Sequence, residues 1–159
     1  MNTPLSPTLT ALPLPTQRTI QRALALLEQH LRKPGESFTS PEAVRHWLRL
    51  QMAGLEREVF MALYLDNQHR LLAHETLLTG TINQTQVHPR EVVKSGLKHN
   101  CAAVIVAHCH PSGLAEPSNA DRQITERLKK VLGMVDIRLL DHLVVGGMDI
   151  VSFADRGWL

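Results

Sequence analysis

The sequence has 159 residues, of which 43% are hydrophobic and 20% charged, so we expect one folded domain with a buried core and not a disordered chain. The formal net charge of +2 is too small to indicate a nucleic-acid-binding protein by itself. Two cysteines without a Cys-x-x-Cys pair exclude a thiolate zinc finger and a disulfide scaffold, and the apolar stretches are too short for a membrane span. We therefore expect a cytoplasmic protein with reduced thiols.

The N-terminal region is predicted to be an appendage. Prolines at 4, 7, 13 and 15 predict a loose leader over residues 1–16, without helix or strand periodicity. Residues 16–32 are predicted to form a helix, because apolar residues recur at steps of three and four, and Lys33, Pro34 and Gly35 end it. We expect residues 1–35 to form a flexible leader plus helix, and residues 36–159 to form the main domain.

The main domain is predicted to alternate helices with strands. Ser40 and Pro41 indicate the start of a helix that ends near residue 56. Apolar runs at 59–66 and 70–79, separated by a turn at 67–69, predict a hairpin. The later predicted elements are a helix over 89–99, a buried strand over 101–107, a helix from Ser118 to about 132, and strands over 136–145 and 149–153. This intermixing predicts α/β layers around one sheet.

Two histidines follow the buried strand 101–107. His108 and His110 are two residues apart, so in extended backbone their side chains point to the same side and could bind one ion. The chain then turns at residues 111–113 and returns with Ser118 at a helix cap and Asp121 in the first helical turn. Asp121 could supply a third ligand. Three protein ligands leave a position for water, which is typical of a catalytic zinc site with one ion per chain.

The same residues allow a plainer interpretation. Ser-x-x-Asp before an apolar run is also an ordinary capping box, and His-x-His alone is a weak signal. The joint pattern is more specific, because capping does not require a histidine pair at that place. Both interpretations can hold together, with Ser118 capping the helix while Asp121 faces the metal.

A hydrolytic zinc site also needs a group that moves a proton to the leaving group. The acids near the motif in sequence are Glu56, Glu58, Glu75, Glu91 and Glu116. Glu58 immediately precedes the apolar run 59–66, so its side chain could enter a cleft at the sheet edge. Glu75 lies inside the returning strand, and Glu91 lies in the first turn of a helix, where an acid is expected anyway.

The motif resembles the JAMM (MPN+) metalloprotease signature, His-x-His-x(7)-Ser-x-x-Asp, which residues 108, 110, 118 and 121 match at every fixed position. More closely, the chain resembles the RadC family of the UPF0758 group from about Thr39 to its end. The resembling segments are 80–82, 87–94, 107–113, 117–118 and 140–146. The resemblance implies a JAB/MPN-like, cytidine-deaminase-like three-layer α/β fold with a mixed central sheet. It also implies zinc held by His108, His110 and Asp121.

The resemblance also implies roles for two further residues. Ser118 would stabilise the oxyanion of a tetrahedral intermediate. The family's acid starts a buried strand in a Glu-Val-x-x-Leu context, which favours Glu58 over Glu75 as the general base. Cys109 stands where the group usually has Asn. Its side chain should point away from the histidine pair, so the site should survive, although an additional soft ligand remains an alternative.

The predicted function is that of a JAMM-type zinc hydrolase, a metallopeptidase or isopeptidase that acts on a peptide or protein. The alternative, suggested by the family's link with DNA repair, is a zinc-bearing accessory or binding protein without proteolytic activity. A zinc deaminase is disfavoured, because the His-x-Glu and Pro-Cys-x-x-Cys signatures are absent. Asp141 and His142 could be a functional pair or polar packing near a strand end, and we favour packing. The sequence predicts neither which peptide or protein is the substrate nor the oligomeric state.

Overall fold

The computed structural model describes residues 7–32, 41–80 and 87–159. Its elements in chain order are α1 (Pro7–Thr10), α2 (Leu14–Arg32), α3 (Pro41–Met52), β1 (Val59–Leu65), β2 (Leu71–Thr79), α4 (Pro89–Lys98), β3 (Ala103–Cys109), α5 (Asn119–Gly133), β4 (Arg138–Gly146) and β5 (Asp149–Ser152). The predicted helix stop at 33–35, the Ser40 cap and the predicted boundary after residue 35 lie outside the described residues.

The five strands form one mixed sheet in the order β2-β1-β3-β4-β5. β1 pairs antiparallel with both β2 and β3, β3 pairs parallel with β4, and β4 pairs antiparallel with β5. The parallel pair needs a crossover connection, and α5 provides it. β3 therefore lies in the middle of the sheet with a partner strand on each side.

Alternation along the strands gives the sheet two apolar faces. One face, with Met61 and Ile105, packs against α2 and α3 through a cluster that includes Trp47. The other face, with Phe60 and Val106, packs in a second cluster with residues of α4 and α5. The sheet is thus the middle of three layers, and the predicted three-layer α/β fold with a mixed sheet is confirmed.

The N-terminal region differs from the prediction of a leader without helix. Residues 7–10 form α1, and α2 begins at Leu14, two residues before the predicted start. Pro15 is compatible with this start, because the N–H groups of a first helical turn have no partner within the helix. Glu28 of α2 is buried and lies 3.2 Å from the His74 ring nitrogen of β2, so this helix packs on the domain.

Strand β3 continues two residues beyond its predicted end. Phe60 of β1 pairs with His108, and Val145 of β4 pairs with Cys109, so partner strands on both sides extend the ladder. His108 therefore lies within the strand and His110 directly after it. No helix within residues 7–32, 41–80 and 87–159 is both long and apolar enough to cross a membrane.

Candidate metal centre

The candidate site lies where β3 ends and α5 begins. The His108 ring is on the sheet face that α5 covers, stacked at 6.2 Å between ring centroids on Phe60 of the neighbouring strand. Ser118 is the N-cap of α5, and Asp121 is its third residue. The short loop between His110 and Ser118 brings the first turn of α5 back onto the end of β3.

Three side chains converge at this point. The Nε2 atoms of His108 and His110 are 2.9 Å apart. The Asp121 carboxylate approaches both rings, with Oδ1 at 3.2 Å from His108 Nε2 and Oδ2 at 3.3 Å from His110 Nε2. All three ligand atoms lie within 4.8 Å of one another, so this group could hold a metal ion.

The convergence is strongly polar and mostly buried. His108 and Asp121 are buried, whereas the His110 side chain is 16% exposed. Burial alone would raise the pKa of Asp121, but hydrogen bonds with His108 and His110 outweigh it and hold that pKa well below its ordinary value of 3.8. The bond to Asp121 also raises the pKa of His110 above 6.5, against the opposing effect of burial. A buried carboxylate that stays charged favours a positive partner.

The predicted capping box is present in addition to this arrangement. The Ser118 backbone N–H donates to Asp121 Oδ2 at 2.8 Å, and the Asp121 backbone N–H donates to Ser118 Oγ at 3.1 Å. The Asp121 carboxylate therefore caps α5 and faces the two histidines at the same time. His110 Nδ1 donates to the Leu114 carbonyl oxygen at 2.9 Å, so Nε2 is the ring nitrogen that faces the other two side chains.

An open cleft of about 740 Å³ adjoins the three side chains. Its lining residues are Glu56, Arg57, Glu58, Gly80, His110, Pro111, Ser112, Ser118 and Asp121. Glu58 is two residues before Phe60, and His110 is two residues after the His108 with which Phe60 pairs, so the antiparallel register brings Glu58 beside His110. The Glu58 carbonyl oxygen accepts the Gly80 backbone N–H at 2.7 Å, which fixes the start of β1.

The other candidate acid lies elsewhere. Glu75 pairs across the sheet with Ala62, and its carboxylate lies 3.1 Å from His99 Nε2. A hydrogen bond from Ser95 and the one with His99 lower the pKa of Glu75. Glu75 is therefore engaged at the end of α4 and does not line the cleft beside the histidines.

A family model described as a RadC-like JAB domain matches residues 38–158. The chain belongs to this family. The UPF0758 protein YkfG of Escherichia coli (strain K12) is 64% identical over 143 residues, which cover 90% of each chain. The UPF0758 protein YfjY of the same strain is 58% identical over 159 residues, 100% of this chain and 99% of that protein. A UPF0758 protein of Cellvibrio japonicus (strain Ueda107) is 56% identical over 143 residues, 88% of this chain and 64% of that protein.

Cys109 of this RadC-like domain lies between the two histidines but faces the opposite side of the sheet. Its buried side chain belongs to the cluster that packs under α2 and α3, and its thiol lies 3.4 Å from the Arg57 carbonyl oxygen. Burial raises the pKa of this thiol. The strand alternation that separates Cys109 from His108 and His110 also removes it from the group that could hold a metal.

His142 of this domain lies directly behind His108, a contact that was not predicted from the sequence. The His142 ring is fully buried. Its Nε2 lies 2.7 Å from His108 Nδ1, and its Nδ1 lies 2.6 Å from Thr125 Oγ. Burial, and then the charge of His108, lower its pKa well below 6.5. The Asp141 carboxylate accepts the Ser152 hydroxyl at 2.6 Å and the backbone N–H of His142 at 2.7 Å, so it engages the backbone of His142 and not the ring. The signal in the sequence that could have indicated this contact with His108 was a histidine immediately before the apolar run of a buried strand.

Proposed function

We propose that this protein is a JAMM-type metal-dependent hydrolase that holds one zinc ion per chain and cleaves a peptide or isopeptide bond. One observation carries the proposal: two imidazole nitrogens and a charged, buried carboxylate converge on one point at the wall of a cleft that also contains Glu58. The proposal further places the protein in the cytoplasm, which agrees with the free thiols of Cys101 and Cys109.

The donor set fits zinc. Two imidazoles and one carboxylate are ligands that zinc prefers, and three protein ligands are typical of its catalytic sites. Ligands at about 2.0–2.1 Å from a tetrahedral ion lie roughly 3.3 Å from one another. The two histidine nitrogens are 2.9 Å apart, and each lies 3.2 or 3.3 Å from a different oxygen of the Asp121 carboxylate, which is close to that value. The site therefore needs little rearrangement to bind the ion through His108, His110 and Asp121.

A zinc ion bound there would supply Lewis-acid chemistry, which polarises a carbonyl group and makes water nucleophilic near neutral pH. Glu58 lines the cleft beside His110 and would accept one proton from the attacking water. The water oxygen bonds to the carbonyl carbon, the C–N bond breaks, and Glu58 returns the proton to the departing amine. The cleft thus offers a proton carrier beside the residues that would hold the ion.

Ser118 would stabilise the negative charge on the former carbonyl oxygen. Its Oγ accepts the Asp121 N–H at 3.1 Å, so its own hydroxyl proton is available to a substrate in the cleft that it lines. The carboxylate, guanidinium and hydroxyl groups around the cleft favour a polar substrate, and its open form can admit an extended chain. These features support a peptide or protein substrate.

The test begins with the zinc content of protein purified without chelator. We expect about one zinc per chain, and a H108A/H110A variant should lose it. On a library of fluorogenic peptides and isopeptide-linked peptides, E58Q should keep zinc but lose about 10²–10⁴-fold in kcat. E75Q is the matched control and should retain activity. Absence of zinc from the wild type, or activity that survives H108A/H110A, would refute the proposal; equal activity of E58Q and wild type would refute the assignment of the base.

A further inference from the structure

A buried chain of hydrogen bonds runs behind the candidate metal centre. It starts at His108 Nδ1, the ring nitrogen that points away from Asp121, and reaches His142 Nε2 at 2.7 Å. The opposite nitrogen of His142 lies 2.6 Å from Thr125 Oγ, and this hydroxyl lies 2.6 Å from the Asp121 carbonyl oxygen. His142 and Thr125 are at most 1% exposed, so water does not compete for these contacts. We call His142 and Thr125 the support pair.

The direction of donation is set at the carbonyl end. A carbonyl oxygen can only accept, so Thr125 donates its single hydroxyl proton to the Asp121 carbonyl. The Thr125 oxygen must then accept from His142 in the second 2.6 Å contact, which places a proton on His142 Nδ1. This conclusion depends only on the number of protons that each group carries.

The direction at the other end follows from metal binding. A metal bound through His108 Nε2 uses the lone pair of that nitrogen, so the His108 proton must be on Nδ1. His108 then donates to His142 Nε2 across 2.7 Å, and this nitrogen must present a lone pair. The two ends therefore require the same form of His142, with Nδ1 protonated and Nε2 free. Every donor in the chain meets an acceptor.

We propose that His142 and Thr125 are positioning residues that hold His108 in the tautomer and orientation needed for metal binding. The inference rests on the proposed function, because it concerns the same metal centre. The support pair also connects two of the ligand residues from behind, since the chain ends on the backbone of Asp121, whose carboxylate faces the centre. Displacement of Asp121 would thus shift the hydrogen-bond partner of His108 even before any ion binds.

A simpler explanation is that both residues only fill the core. Threonine hydroxyls often bond to the carbonyl four residues earlier in a helix, and the His142 ring stacks on Phe153 at 4.7 Å. Packing alone does not require a polar ring at this place, because burying polar groups is costly unless each is satisfied. Three consecutive contacts of 2.6–2.7 Å that end on a ligand histidine favour a positioning role.

The test compares T125V with T125S in the full chain. Valine has nearly the shape of threonine but no hydroxyl, whereas serine keeps the hydroxyl. Zinc affinity, measured by competition with a chromophoric chelator, should fall about 10–100-fold in T125V and stay near the wild-type value in T125S. H142F should weaken zinc binding by a similar factor. Thermal unfolding of each variant reports whether it folds. If H142F does not fold, the comparison of T125V with T125S decides the result.

A spectroscopic measurement separates positioning from packing. Imidazole ¹⁵N spectra of ¹⁵N-histidine-labelled protein show which ring nitrogen carries the proton. In the wild type with zinc, we expect protonated Nδ1 in both His108 and His142, and T125V should change the His142 signals. Wild-type zinc affinity in T125V, or a His142 protonated on Nε2, overturns the inference. If the wild type binds no zinc, the proposed function fails. The tautomer of His142 in the metal-free chain then decides by itself whether the support pair has the inferred direction of hydrogen bonding.

Discussion

Replacing Gly146 by alanine should disturb the metal centre through the loop between its ligands. Gly146 is the last residue of β4, and the loop backbone lies directly against it. A Cβ at this position would overlap the Ala115 nitrogen and lie 2.5 Å from the Leu114 carbonyl carbon. Ordinary contacts begin near 3.4 Å, so the loop would have to move by about 1 Å.

The displacement would reach His110, one of the three proposed ligands, directly. Its Nδ1 donates to the Leu114 carbonyl oxygen at 2.9 Å, and this contact orients the ring. We expect G146A to weaken zinc binding about 10–100-fold, because the partner of a ligand histidine is displaced. A shift of about 1 Å in a catalytic group can cost about 100-fold in rate. The overpacked loop should also lower the free energy of unfolding by about 1–3 kcal/mol.

The assay combines zinc competition, peptide hydrolysis and urea unfolding. G133A is the matched control, because a Cβ on Gly133 at the end of α5 meets no atom within 4 Å. Alanine there should leave zinc binding unchanged and stabilise the helix by up to about 1 kcal/mol. Wild-type zinc affinity and rate in G146A would refute the argument that the loop position sets His110.

Three further predictions concern the cap, the pH dependence and the intervening cysteine. S118A should lower kcat about 10²–10³-fold, because the proposed oxyanion donor is lost. It should also lower the free energy of unfolding by about 1 kcal/mol, because the helix cap is lost. S118T keeps the hydroxyl and should retain both the rate and the stability. In the metal-free chain, the raised pKa of His110 contributes stability fully below pH 6.5, and this stability is lost as the pH rises through the raised pKa. The lowered pKa of Asp121 contributes stability above pH 3.8, and this stability is lost as the pH falls through the lowered pKa. The stability difference between metal-free wild type and D121N in urea should therefore be greatest between pH 3.8 and 6.5, and a difference that grows above pH 6.5 would contradict this. C109A should keep about one zinc per chain, because the thiol lies on the opposite sheet face, and loss of zinc on metal analysis would make Cys109 a ligand after all.

Local patterns were sufficient for the main elements and for the convergence of His108, His110 and Asp121. Strand alternation sets the direction of two side chains, and a helix cap sets the position of the third, so neighbouring residues along the chain carry that information. The same alternation correctly predicted that Cys109 faces away. The capping and metal-site interpretations of Ser-x-x-Asp also proved compatible, since one carboxylate contacts both the Ser118 N–H and the histidines.

The support pair, α1 and the first two residues of α2 required information that is not local. His142 meets His108 only because β4 pairs in parallel with β3, and Thr125 joins them because α5 packs over that strand pair. The sequence does not state the strand order. Similarly, the prolines of the leader suggested irregular structure, although Pro15 lies in the first turn of α2, where a missing N–H costs little. Packing on the domain, including the contact of Glu28 with His74, holds α2 in position.

The double use of Asp121 changes how related sequences should be compared. Its carboxylate caps the start of α5 as well as facing the two histidines, so selection for folding alone is enough to retain the Ser-x-x-Asp pair. A relative without the proposed hydrolysis would keep Ser118 and Asp121 but would be free to replace His110, which lies after the strand and is partly exposed. Under the proposed function, loss of that one histidine with the cap intact would therefore identify a relative that keeps the fold without the hydrolysis.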